Sequence, residues 1–346
     1  MADDGVDVGQ RLARQLKDLY ATAELNLITA VTKALKSGMD ASGLHFRPAA
    51  FRALRATAQR VAGLLAHDST AMATQIVQEA VRLGSVQAIT ELAAEVQALP
   101  VVAPAVEQIQ QDLVAKLAQT EFRTIRWAPD VYQQAIMPQV QHILAGEMSP
   151  LEAQQAAWEK LASNGVTGFV DNTGRGWELQ SYVEMATRTA TQRAWNEQHT
   201  AEYRAAGVDL VMVSTAPDCC ELCAPFQSAV LSIGAVPADM PDVLMSVDDA
   251  RSDGLQHYAC RCSYTAFFEG VTEPFPTKVD PVMREDREQL RYLERGVRQW
   301  KRREVAALTP AAKKAAGVKV RLWQSRIRQH VASTNTVRKP YREQIK

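Results

Sequence analysis

All five cysteines of the 346-residue chain fall between Cys219 and Cys262, with His257 three residues ahead of the second group. The first group holds a Cys-x-x-Cys turn, Cys220-Glu-Leu-Cys223. The second reads His257-Tyr-Ala-Cys260-Arg-Cys262 and runs into an apolar stretch, Tyr264 to Phe268. Thiolate and imidazole are favoured zinc ligands, and a tight Cys-x-x-Cys turn brings two sulfurs to one ion. If the second group is extended, Cys260 and Cys262 share a face, because side chains alternate along a strand. The spacing therefore points to structural zinc on Cys220, Cys223, Cys260 and Cys262, with His257 replacing one of the last two as the alternative. Cys219 is left over. Two other outcomes stay open: reduced thiols packed as small hydrophobes, and disulfides if the protein ends in an oxidising medium. The odd count argues against complete pairing, and no His and Asn constellation marks a catalytic thiol.

The elements that must position this group are mostly helical. Hydrophobic residues make up 47% of the chain and aromatic residues only 6%, with Ala, Leu, Val and Gln prominent, a balance that favours packed helices over sheets. The length suffices for two or three cores. Helices are expected over Val8 to Lys36, Pro48 to His67, Ser69 to Leu83, Ser85 to Leu99, Ala103 to Trp127 and Asp130 to Leu144, with Gly84 and Pro100 as breaks. Ser149-Pro150-Leu151-Glu152 has the form of a capping box with Pro in the first turn, and the helix it starts should stop near Gly165.

The composition shifts at Gly168 to Trp177. That Gly-rich stretch lacks the Lys-Ser/Thr ending of a phosphate-binding loop and does not match G-x-G-x-x-G, so a turn or hairpin before a helix is expected. A helix then runs from Glu178 to Ala206, Gly207 ends it, and Val208 to Ser214 has the branched apolar content of a buried strand.

Formal neutrality hides a strong charge asymmetry. From Arg284 to Lys346 there are 18 Lys and Arg against 6 Asp and Glu, a local charge of +12 that the remainder balances with −12. A basic end on an acidic body suits a polyanion, an acidic protein surface, or neutralisation within the chain. Asp280 to Leu308 reads as an amphipathic helix with Leu290, Leu293, Val297 and Trp300 on one side and Gly296 as a mild interruption. Lys313 to His330 sets Val320, Leu322, Trp323 and Ile327 among cations. Aromatic residues between cations suit non-specific, salt-dependent contact with double-stranded DNA. The candidates are Arg298, Lys301, Arg302, Arg303, Lys313, Lys314, Lys319, Arg321, Arg326 and Arg328. The alternative is that the tryptophans are core and the charges form solvated faces.

Several of these segments carry a family pattern in order. The run Asp171-Asn-Thr-Gly-Arg-Gly-Trp-Glu-Leu-Gln-Ser-Tyr-Val-Glu-Met-Ala-Thr-Arg-Thr and Gly207-Val-Asp-Leu-Val-Met-Val-Ser come first. Cys223-Ala-Pro-Phe-Gln-Ser, Gly254-Leu-Gln-His-Tyr-Ala-Cys-Arg-Cys and Leu290-Arg-Tyr-Leu-Glu-Arg-Gly-Val-Arg-Gln-Trp-Lys-Arg follow. Together they resemble the phage minor capsid protein 2 family, which is similar to the Mu F-like head-morphogenesis group. Ser228 stands where that family usually has Gly, and Cys262 where many members have His. The resemblance implies a low-copy virion protein in the capsid interior or at the portal vertex, partnered by portal or other capsid proteins and packaged DNA, and present in the host cytoplasm during assembly.

The expected architecture is mainly α with a small α+β module: an elongated helical N-terminal half at 1–148, a Cys-rich C-terminal module at 149–279 and a basic helical tail at 280–346. No catalytic residue is assigned. Glu178, Glu184, Asp248, Asp249 and Asp253 read as caps and surface groups, so an enzyme or toxin-like effector is the rival class. No recognition-helix pattern supports a regulatory DNA-binding protein. The acidic start Met-Ala-Asp-Asp-Gly-Val and the lack of a long apolar run exclude a secretory leader and a membrane partner from the expectation.

Overall fold

The structure is a computed structural model that describes residues 5–38, 48–92, 101–131, 149–163, 169–170, 176–237, 242–274 and 278–345. Its long helices are α1 (Gly5–Gly38), α2 (Pro48–Glu91), α3 (Ala105–Val131), α4 (Pro150–Ser163) and α5 (Leu179–Ala205). Two tail helices follow, α7 (Pro281–Ala306) and α8 (Pro310–Ser333). Among the described residues, no helix is long and apolar enough to cross a membrane. The chain is mainly helical with a small mixed sheet, as its composition implied.

Compactness groups the chain into two units. The first takes residues 1–16, 70–116 and 183–285, the second 17–69, 117–182 and 286–346. The first unit holds the sheet, with strands β3 (Leu210–Val213), β4 (Val230–Ser232), β5 (Val243–Ser246) and β6 (Tyr264–Ala266) in the order β5-β4-β3-β6. The central strand β3 is buried throughout and pairs antiparallel with both β4 and β6, while β5 runs parallel to β4. Burial on both faces explains the uninterrupted apolar run Leu210-Val-Met-Val, which a one-sided strand would alternate with polar residues. Ser246 caps the short helix α6 (Val247–Ser252) by accepting from the Asp249 amide at 3.1 Å, and Asp248 and Asp249 occupy its first turn as expected.

Two expected breaks are absent. The segments predicted as separate helices at Pro48 to His67, Ser69 to Leu83 and Ser85 onward form the continuous α2. Gly84 does not end it. A Cβ there would lie 2.7 Å from the Trp195 carbonyl oxygen, so the glycine serves close approach of α2 to α5 rather than termination. The helix expected at Asp130 to Leu144 lies mostly outside the described residues.

Two apolar clusters of the second unit lie among the described residues. Leu27, Ile28, Val31 and Leu35 of α1 pack with Leu54, Trp158, Ala162 and Ala306, and the buried Trp158 indole donates to Thr32 Oγ1 at 3.1 Å. The capping box forms as the sequence predicts: Ser149 Oγ donates to Glu152 at 2.7 Å, and the Glu152 amide donates back at 3.3 Å. The Gly-rich stretch supplies a two-stranded antiparallel pair, β1 (Phe169–Val170) with β2 (Gly176–Trp177). In the tail, Leu290, Leu293 and Val297 of α7 pack on Val320 and Ile327 of α8. Gly296 sits where these helices cross, and any Cβ would overlap the Trp323 indole. It is therefore a packing requirement and not an interruption.

Candidate functional site

The thiol groups converge in the first unit. After β3 the chain turns through Cys219 and Cys220 into a short 3-10 turn, Ala224–Phe226, whose preceding residue is Cys223. The amide of Ala224 donates to the Cys220 carbonyl at 2.9 Å, closing the tight turn that a Cys-x-x-Cys requires. The second group arrives on the loop between α6 and β6, where Cys260 N–H donates to the His257 carbonyl at 3.0 Å. Cys260 and Cys262 lie in this loop rather than on a strand. They approach the same point through a turn instead of the expected alternation.

Two overlapping donor groups result, Cys220 with Cys223 and His257, and Cys223 with Cys260 and Cys262; within each, all ligand atoms lie within 4.8 Å of one another. Cys223 belongs to both. All five cysteines are free thiols. Cys223 Sγ and Cys260 Sγ are 3.5 Å apart, far beyond a covalent bond and close to the roughly 3.8 Å that separates two sulfurs on a tetrahedral zinc. Cys220 Sγ lies 2.9 Å from His257 Nε2. The other ring nitrogen, Nδ1, is 2.8 Å from the Tyr258 carbonyl, which only accepts, so Nδ1–H donates there and Nε2 faces Cys220.

Hydrogen bonds among the sulfurs pull the acidities of the thiols apart. Cys260 is held well below the usual thiol range by hydrogen bonds from Cys223 and Cys262 and by the Cys262 amide, which reaches its sulfur at 3.3 Å. The bond that settles Cys260 pushes the Cys223 thiol up. The leftover residue, Cys219, is lowered to about 7, chiefly by its hydrogen bond with Cys262. Thiol sulfurs and an imidazole brought within ligand distance of one another make a group that could hold a metal ion.

The basic tail behaves differently. Arg298 is buried, donating to the Arg342 carbonyl at 2.7 Å and pairing with Glu178 at 3.0 Å. Arg302 is buried too; it pairs with Glu178 and donates to the Ala162 carbonyl at 3.3 Å, with Glu24 3.9 Å away. Burial alone would push the Glu178 carboxyl up, but Arg302 and Arg298 override it and hold the group far below the usual carboxylate range. These two arginines, expected to face nucleic acid, are internal partners of a buried carboxylate, and that expectation is corrected. Glu178, expected as a cap or surface group, is the hub of the network.

Lys301 is half-buried and donates to Gln344 at 2.9 Å, while Arg303 lies over the Trp300 ring at 4.4 Å. The six cations of α8, Lys313, Lys314, Lys319, Arg321, Arg326 and Arg328, are all exposed. Lys319 lies 5.9 Å from the Trp300 ring centre and Arg326 5.1 Å from that of Trp323. None of the six forms an ion pair among the described residues, and α8 contains no Asp or Glu.

The sequence profile of phage minor capsid protein 2 matches residues 9–332, almost the whole chain. The chain belongs to the phage minor capsid protein 2 family. A curated relative described as "Structural protein" of Lactococcus phage LL-H is 25% identical over 224 residues, which cover 61% of this chain and 60% of the relative. The chain thus spans less than two thirds of that relative's length. No solved structure matches.

Family membership makes this minor capsid protein a virion component, and Glu178, Arg298 and Arg302 all lie within the matched residues. Sequence reasoning missed Glu178. The available signal was the placement of Arg298 and Arg302 four residues apart, one turn of α7, beside the apolar positions Leu293 and Val297. A pair of cations bordering a core stripe calls for a buried anion.

Proposed function

We propose that this minor capsid protein is a low-copy structural component of the portal vertex, in contact with portal or other capsid proteins and with packaged double-stranded DNA. The role is architectural, with no catalytic residue assigned. The observation that carries the DNA contact is α8, which exposes six cations and no carboxylate along one helix. Lys314, Arg321 and Arg328 recur every seven residues and so form one stripe along it. Phosphate neutralisation by such a stripe gives affinity with little sequence preference and a steep dependence on salt. Arg298 and Arg302 contribute fold stability instead.

The same reading gives the thiol cluster a structural zinc ion held by Cys220, Cys223, His257 and Cys260. The pairs Cys220–His257 and Cys223–Cys260 supply this set, while Cys262, whose sulfur lies against Cys219, Cys223 and Cys260, supports Cys260 through its amide. Such an ion would fasten two loops of a module whose sheet strands are only three or four residues long. During assembly the protein would reside in the host cytoplasm before incorporation.

The test uses the full chain. It should bind mixed-sequence duplex DNA at low salt, release it as salt rises, and co-purify with a portal ring from a head-assembly system. Absence of binding at low salt rejects the DNA contact, and failure to associate with portal or capsid proteins rejects the placement.

A further inference from the structure

The loop that carries His257 and Cys260 is strained, and one face of α5 holds it. Gln256 and Ala259 have φ of 59° and 63°, the left-handed region that non-glycine residues rarely occupy. They bracket His257 and Tyr258, so the strain lies immediately beside two of the candidate ligands. Arg188 of α5 donates to the Ala259 carbonyl at 2.9 Å, and the Ala259 amide donates to Thr189 Oγ1 at 3.0 Å. Thr189 Oγ1 in turn donates to the Met185 carbonyl at 2.8 Å, which fixes the hydroxyl. Asn196 and Gln192 donate to the Cys262 carbonyl at 3.1 and 3.4 Å.

These residues form one surface. Arg188, Gln192 and Asn196 are successive turns of the helix, and Thr189 adjoins the first. Both polar backbone atoms of the residue before Cys260 are held, and so is the carbonyl of the residue two positions after it. A further tie runs from Glu197 of α5 to Arg251 at 2.7 Å and from Arg251 to Gln256 at 3.0 Å. The helix thus grips the loop at Gln256, Ala259 and Cys262, leaving His257 and Cys260 to point at Cys220 and Cys223.

We propose that Arg188, Thr189, Gln192 and Asn196 are positioning residues for the metal centre: the face of α5 presets the strained loop so that His257 and Cys260 meet the Cys-x-x-Cys turn already in ligating arrangement. This rests on the zinc reading above. A loop with two left-handed non-glycine residues would relax if released, and a relaxed loop must be reordered at the expense of metal affinity. Groups that orient ligands without touching the metal typically alter affinity about 10–100-fold. The Thr-Arg-Thr run at 187–189 thereby acquires a role that spacing alone did not suggest.

The experiment compares full-length wild type with Thr189→Val/Asn196→Leu, which removes the acceptor for Ala259 and a donor to Cys262 while keeping side-chain volume. Zinc affinity is read by competition with a chromogenic chelator, and ligand geometry by the absorption spectrum of the cobalt-substituted protein. The double variant should bind one zinc per chain about 10–100-fold more weakly, with an altered cobalt spectrum and a larger loss of melting temperature in the loaded than in the metal-free form. Thr189→Ser should restore the wild-type values at its position. Gln192→Met, which removes the longest of the four bonds, supplies a milder variant with a loss of a few-fold should the double variant not fold. Equal affinity and an unchanged spectrum in folded variants would overturn the positioning role alone. A wild-type chain that binds no zinc would overturn the metal reading and the positioning role together.

Discussion

The thiol cluster and the basic tail are the two places where this sequence concentrates unusual residues, and the fold treats them in opposite ways. In the cluster, residues 37 positions apart meet, with Cys220 at His257 and Cys223 at Cys260. In the tail, cations of one basic stretch separate: Arg302 is buried against Glu178, whereas Arg321 and Arg328 stay exposed. A ligand pattern specifies its own convergence, because the chemistry demands that the donors meet. A charge pattern does not say which cations face water and which answer a buried anion. Net charge alone thus does not say which cations are exposed; burial does.

That contrast breaks most visibly at Arg302. Arg302→Met removes one of the two guanidiniums that hold the buried Glu178 carboxylate, and removing one member of a buried pair costs about 3–5 kcal/mol. Urea unfolding should show a loss of this size for Arg302→Met and a change within about 0.5 kcal/mol for Arg321→Met on the exposed face. A similar loss at both positions would erase the distinction. The same network sets an acid limit. Because the Glu178 carboxyl is held low in the folded state, its stabilisation is complete above the ordinary carboxylate range and is lost as pH falls through the depressed value. Glu178→Gln should remove that acid-sensitive component from a stability profile measured between neutral and strongly acidic pH.

Packing in the tail offers a smaller effect. Gly296→Ala pushes a methyl into the Trp323 indole, and overpacking of this kind costs about 1–3 kcal/mol. Thermal unfolding should register it, whereas a neutral result would mean that α7 and α8 cross with room to spare. The exposed stripe should answer to salt and not to heat. Lys314→Gln/Arg321→Gln/Arg328→Gln should leave the melting temperature nearly unchanged and lower the slope of log affinity against log salt by about 0.9 for each phosphate no longer neutralised. If the slope is unaffected, the DNA-facing surface lies elsewhere. The smallest effect is expected at Ser228, whose φ of 59° suits glycine. Ser228→Gly should stabilise by about 0.5–1 kcal/mol in denaturant titration, through relief of the left-handed strain.

Much of this fold is legible from periodicity and caps. The capping box at Ser149 and Glu152, the buried run at Leu210 to Val213 and the two tail helices all follow from local rules that no distant contact overrides. Gly84 and Gly296 show where such rules end. Both read as breaks because glycine weakens helices, yet each is needed for the approach of a partner, the Trp195 backbone or the Trp323 ring, that lies far off in sequence. The metal candidates are legible as types and spacing, but the choice between Cys262 and His257 is not. Which of them could complete a site turns on where the Tyr258 carbonyl holds the imidazole and where the loop sets the Cys262 sulfur, both consequences of backbone turns. Glu178 is invisible for the same reason as Arg302: an ion pair across more than a hundred residues leaves no local trace.

The central claim, that the two thiol turns are fastened by one metal ion, is tested most directly by native mass spectrometry and metal analysis of the purified full chain. The account predicts one zinc per chain, removed by chelator with a large fall in melting temperature. It also predicts that zinc is lost in Cys223→Ser, the donor common to both groups, and retained in Cys219→Ser. A metal-free chain whose melting is indifferent to chelator would contradict it and leave the cysteines as ordinary members of the core.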